Sequence, residues 1–202
     1  ADPGQCPRYA GLRITPQLGL LPIGRDADSK LWEFAHLQTG EPAVRGADGK
    51  LVLTEATGLV FVLIPGGTFL MGAQGTKPNG PGYFPTAEPD EGPVRTMSVE
   101  PFFLSKYEMT QGQWLRTMGD NPSHYGPDSY EPRFNSSGAA GSLLHPVEQV
   151  SWTECMETCR RLGLSLPRET QWEFGARGGT TTGWWTGDDA ASVATAGNVA
   201  DA

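Results

Sequence analysis

Cysteine is scarce. The 202 residues hold three, an odd count with no CxxC pair, which excludes a disulfide scaffold closed within the chain and removes the paired spacing of a zinc ribbon. Histidine is equally scarce: His36, His124 and His145 lie far apart in sequence, so no local histidine cluster is available for a metal. Cationic residues are outnumbered, 15 Lys and Arg against 23 Asp and Glu, for a net charge of −8. A surface of that sign repels phosphate and anionic lipid, which argues against nucleic acid and membrane surfaces as partners. No apolar run approaches the ~20 residues of a membrane span. The opening residues, Ala1 to Cys6, carry neither an initiator Met nor the apolar core of a signal peptide, and read as a start made by processing or cloning.

What is abundant is Gly (27), Pro (17) and large aromatics, among them six Trp and eight Phe, within a chain that is 38% hydrophobic. That composition describes one loop-rich domain whose core rests on aromatics and short strands rather than on long amphipathic helices. Residues 1–57 read as a turn-rich lead-in with a hairpin. Within it, Leu31–Leu37 alternates as a strand, with a short helix as the other option, and the Gly46–Lys50 turn returns into Leu51-Val52-Leu53. Residues 58–202 read as the main body. Leu59–Ile64 is a continuous β-branched and apolar run, as in a strand buried on both faces, and Pro65-Gly66-Gly67 predicts a hairpin with Thr68–Gly72. The long polar loop from Ala73 to Gly92 is of the length that is functional or mobile in compact domains.

Three helices announce themselves by their ends. Thr110 caps one that stops at Gly119, and Ser151-x-x-Glu154 is a capping box opening a second that stops at Gly163. A third, Glu169 to Ala176, carries Trp172 and Phe174, which read as core aromatics. Cys155 and Cys159 share a face of the second helix and read as small, partly buried apolar residues. No nucleophile–base pair is visible, and His124 and His145 read as structural. The acidic groups Glu88/Asp90/Glu91 and Asp188/Asp189 lack the EF-hand ligand spacing and read as solvated loops. Asn121 precedes Pro and cannot be a glycosylation acceptor, whereas Asn135-Ser136-Ser137 fits the sequon.

Several ordered motifs carry a family resemblance: IPGGTFLMG at 64–72, DEGPVR at 90–95, the EMT…W helix start, Asn121-Pro122-Ser123, and above all HPVEQVSWTECMETCRRLGLSLPRETQWEFGARGG at 145–179. Together they resemble the formylglycine-generating-enzyme, or sulfatase-modifying-factor, family, in the form of a generic bacterial member. The resemblance implies an α+β fold, the formylglycine-generating-enzyme type of C-type-lectin-like fold, with residues 58–202 as the N-terminal half of the domain. The chain departs from the pattern at Arg168, where Thr usually caps, at Ser165 in place of Arg, at Met109 in place of Val and at Cys155 in place of Ala. A helix opened by Arg168 is therefore expected to start less crisply.

For function, the resemblance implies three alternatives. One is a copper- and dioxygen-dependent oxidase converting a substrate cysteine to formylglycine, with its catalytic cysteine pair in the half that this sequence does not contain. Another is a mononuclear-iron enzyme of the sulfoxide-synthase or pyoverdine-maturation type. The third is a non-catalytic module binding a protein or small-molecule ligand, as in diversified variable proteins and signalling proteins. It also implies a structural calcium ligated by the Asn198 side chain and the Val199 carbonyl, and a second segment, as a separate chain after proteolytic processing, that completes the domain. Cys159 matches a helix cysteine that in some members is disulfide-linked to the other half. Unpaired cysteines otherwise favour a reducing compartment, the cytoplasm, over export.

Overall fold

The computed structural model describes residues 7–127 and 141–196. Among these described residues eight strands and three α-helices follow in chain order: β1 (Leu20–Arg25), β2 (Trp32–His36), β3 (Val44–Arg45), β4 (Leu51–Val52), β5 (Val60–Ile64), β6 (Gly67–Met71), β7 (Arg95–Val99), β8 (Phe102–Ser105), α1 (Gln111–Met118), α2 (Trp152–Leu162) and α3 (Glu169–Arg177). Short strands, antiparallel pairings and short helices joined by long loops make this an α+β fold, as the family resemblance implies. The chain divides into two compact units, residues 1–64 with 103–166, and residues 65–102 with 167–202.

The first unit is built on a four-stranded sheet in the order β1-β2-β5-β8. The run that reads as a doubly buried strand is β5, where Val60, Phe61 and Leu63 are buried. Phe34 of β2 lies opposite Phe61 and meets Phe103 edge-on at 5.1 Å. Burying each such side chain contributes about 1.5–3 kcal/mol. Tyr9 fastens the N-terminal stretch to the same core. Its hydroxyl donates to the Leu63 carbonyl at 2.7 Å and accepts from the Trp32 amide at 2.9 Å. The lead-in thus contributes β1 and β2 to this sheet, while the Gly46–Lys50 turn joins the two-residue strands β3 and β4.

The expected β5–β6 hairpin does not form. Both sides of β5 are taken, by β2 and β8, and β6 pairs instead with β7 in a two-stranded ribbon with Gly67 opposite Val99 and Met71 opposite Arg95. Gly66 makes the turn possible: it sits at φ 73°, and a Cβ there would lie 2.4 Å from the Val99 carbonyl oxygen.

The helix ends follow their local chemistry. Thr110 Oγ1 accepts from the Gln113 amide while Gln113 Oε1 accepts from the Thr110 amide, and Gly119 closes α1 in the left-handed conformation. Ser151 and Glu154 form the same reciprocal pair at the start of α2, and Gly163 closes it. At α3 only one half of such a box exists: Gln171 Oε1 accepts from the Arg168 amide at 3.0 Å. A guanidinium has no acceptor to offer the other orphan amides.

Candidate functional site

The sequence-predicted sites scatter. Asn198 and Val199, and the Asn135 sequon, lie outside the described residues. Cys155 and Cys159 sit on α2, partly buried and free. Burial, and then the neighbouring Cys155, pushes the Cys159 thiol above its ordinary value, which disfavours the reactive thiolate. Asp188 accepts from the Gly183 amide at 2.8 Å, and Asp189 caps a short 3-10 turn by accepting from the Ala191 amide. His124 stacks edge-on against Tyr125. Among the described residues no group of three or more His, Cys, Asp or Glu is placed to hold a metal ion.

The second unit, taken by itself, holds an open cleft of about 510 Å³, within the size range of ligand sites. One wall comes from the end of β6 and the loop between β6 and β7, contributing Tyr83, Phe84, Asp90 and Glu91. The other comes from α3 and the segment after it, contributing Glu169, Trp172, Trp184 and Trp185. The first part of the long loop that reads as functional or mobile is organised around the Gln74 side chain. Gln74 Oε1 accepts from the Thr76 and Lys77 amides, and its Nε2 donates to the Lys77 carbonyl. The Gln74 backbone also bonds to Gly82 and Phe84, which carries Tyr83 and Phe84 into the wall.

An ion pair clamps the base of the cleft. Glu173 Oε1 accepts from the Gly72 amide and from Arg177 Nε, each at 2.8 Å. Arg177 donates in turn to the Gly72 carbonyl at 3.1 Å and to the Thr182 carbonyl at 3.4 Å. The segment that follows α3 closes on itself through reciprocal backbone bonds between Trp184 and Gly187. That turn sets the Trp184 ring edge-on against Phe84, centroids 5.0 Å apart, and leaves Trp185 60% exposed. Gly183 has to lack a side chain, since a Cβ there would come within 2.8 Å of the Phe84 ring.

Trp172 corrects an expectation. Phe174 is the half-buried, inward aromatic of α3, edge-on to Phe69 at 5.3 Å, but Trp172 is 64% exposed and lines the cleft. Two helical residues two apart point to nearly opposite sides, so the pair could not both be buried on one face. That spacing was the available signal. Trp184 and Trp185 carried none, because only the packing of the β6–β7 loop beside them makes their turn a wall.

Residues 52–201 match the model of the family described as the sulfatase-modifying factor enzyme 1-like domain. The chain belongs to this family. Among its sulfatase-modifying-factor relatives, it is 30% identical over 155 residues to the formylglycine-generating enzyme of Thermomonospora curvata, covering 59% of this chain and 49% of that protein. It is 25% identical over 166 residues to the inactive C-alpha-formylglycine-generating enzyme 2 of Mus musculus, covering 64% and 51%. The chain therefore spans about half the length of these curated relatives. A solved structure of PvdO from Pseudomonas aeruginosa is similar at 22% identity and a TM-score of 0.44, covering 70% of this chain and 53% of that one.

Proposed function

We propose that this chain serves as the recognition part of a formylglycine-generating-enzyme-like domain, with the cleft of its second unit as the binding surface and no thiol chemistry at Cys155 or Cys159. The observation that carries this reading is the open aromatic cleft, with Trp172 and Trp185 presented to solvent. Exposed indoles on a braced frame are costly unless a ligand covers them. The resemblance to C-type-lectin-like loop surfaces is consistent with it, and so is a family relative named inactive. The test is a peptide array probed with the wild type and with a W172A/W185A variant. Loss of captured signal in the variant is expected, and equal signal would contradict the proposal.

The oxidase reading has one observation of its own, the 30% identity to a protein named formylglycine-generating enzyme. On that reading the reactive cysteines and the copper belong to a further segment, supplied as a second chain, which also covers the exposed Trp152 and Met156 on α2. Calcium held by Asn198 and Val199 fits either reading. A calcium-dependent rise in melting temperature that is lost in N198A is the expected result, and an identical rise in N198A contradicts those ligands.

A further inference from the structure

We infer that the outer edge of α2 is a binding site for a soft, monovalent metal ion. The Cys155 and Cys159 sulfurs hold the ion, with the Met156 thioether and the Trp152 indole beside it. The site lies in the first unit and neither sulfur changes oxidation state, so the inference stands apart from the recognition reading of the second unit.

Helical spacing brings the four side chains together. Trp152, Cys155, Met156 and Cys159 occupy positions i, i+3, i+4 and i+7 of α2, which form one stripe of a helix. Neighbours at three and four residues are about 5–6 Å apart at Cβ. Each Cα–Cβ bond tilts towards the helix N-terminus, so Cys159 leans over the turn that carries Cys155 and Met156, and those two lean towards Trp152. Both thiols are free and partly buried, while Met156 and Trp152 are exposed, so the stripe meets solvent along one side. The two thiols also sense each other. After burial, the neighbouring Cys155 is the next cause that raises the Cys159 thiol. Two thiolates this close repel, and a cation between them turns that repulsion into attraction.

The donor set selects the kind of ion. Every donor on the stripe is a sulfur or an indole face. The carboxylates of α2 are committed elsewhere: Glu154 accepts from the Ser151 amide and hydroxyl, and Glu157 pairs with Arg160 and Arg161. The helix carries no histidine. Calcium and magnesium need oxygen ligands, and zinc closes a tetrahedron of four. Two thiolates and a thioether instead suit a soft ion of low coordination number, to which the indole adds the attraction of its ring quadrupole. On binding, two S–H bonds break, two metal–sulfur bonds form and two protons leave. The site passes from neutral to a single negative charge, so affinity rises with pH.

The experiment is calorimetric titration of silver(I) nitrate, in chloride-free buffer, into the full chain carrying C6S. That change removes the third of the three cysteines, leaving only the α2 pair. The expected result is one ion per chain with release of about two protons, read from buffers of different ionisation enthalpy. C155A and C159A should each weaken binding about a hundredfold, because the second thiol then no longer binds intramolecularly. Excess zinc(II) should leave the silver in place. Two ions bound independently per chain, or equal affinity in either single variant, would overturn the shared site. Displacement by zinc(II) would overturn its softness. The ion and proton counts need no substitution in α2, so they decide the matter even where a variant fails to fold.

Discussion

Glu33 is wholly buried, and its two carboxylate oxygens meet Lys106 Nζ and Arg45 Nη2, each at 2.5 Å. Lys106 also bonds Asp26 at 2.8 Å, so one carboxylate ties together four separate stretches of the first unit. Burial alone would raise the Asp26 carboxyl and lower the Lys106 ammonium. The hydrogen bonds between them win, holding Asp26 well below the carboxylate range and Lys106 above its own. Removing the charge of Glu33 leaves Arg45 without its carboxylate partner and Lys106 with Asp26 alone, around a side chain that stays buried. E33Q is expected to cost about 3 kcal/mol in urea unfolding, whereas a loss near zero would mean that Lys106 and Arg45 escape to water.

His36 gives a pH signature at the same scale. It is buried, its Nδ1 has no hydrogen-bond partner among the described residues, and burial lowers its pKa from the ordinary 6.5. The unfolded chain therefore takes up a proton that the folded one refuses. The stability due to neutral His36 is full above 6.5 and is lost as pH falls below that value towards the depressed folded pKa. The urea midpoint should drop between about pH 7 and about pH 5, more in the wild type than in H36Q. Parallel profiles would remove His36 as the cause. Nothing in the sequence marked His36 among three histidines, because its burial depends on the sheet that β2 joins.

At the scale of elements, helix ends were legible and strand partners were not. Thr110, Ser151, Gly119 and Gly163 act through hydrogen bonds within a few residues, so their neighbours in sequence determine them. Partner choice for β6 depended on competition. The Pro65-Gly66-Gly67 turn is compatible with a hairpin, but β2 and β8 already occupy both edges of β5. Arg168 shows the reverse, a departure whose local effect could be read in advance. It holds an extended N-cap conformation, φ −69° and ψ 157°, that suits Ser or Thr equally well. R168S should stabilise the protein by about 1 kcal/mol, read as a raised urea midpoint. No gain would mean that the Arg168 side chain is already supplying a compensating contact.

For the molecule as a whole, the family and the α+β class were readable from ordered motifs, whereas the cleft was not. Its walls come from stretches far apart in sequence, and its aromatic residues look like core until their exposure is known. Trp172 is the clearest instance: its spacing from Phe174 says that the two cannot share one buried face, and only the fold says which of them is at the surface. The α2 face carries the same lesson. Trp152 is 71% exposed with Met156, 39% exposed, one turn along, an apolar pair that only the fold places at the surface. W152E/M156E should raise the monomeric fraction in light scattering relative to the wild type, since an uncovered stripe drives association. Two indistinguishable, fully monomeric proteins would argue that the stripe needs no cover.

The central proposal is that this chain serves recognition, with no oxidation at Cys155 or Cys159. Its most direct test is mass spectrometry of a cysteine-containing peptide incubated with the protein, copper and dioxygen, using the wild type and the C155A/C159A variant. The account predicts an unchanged peptide with both proteins. Conversion of the cysteine by the wild type that disappears in C155A/C159A would contradict it.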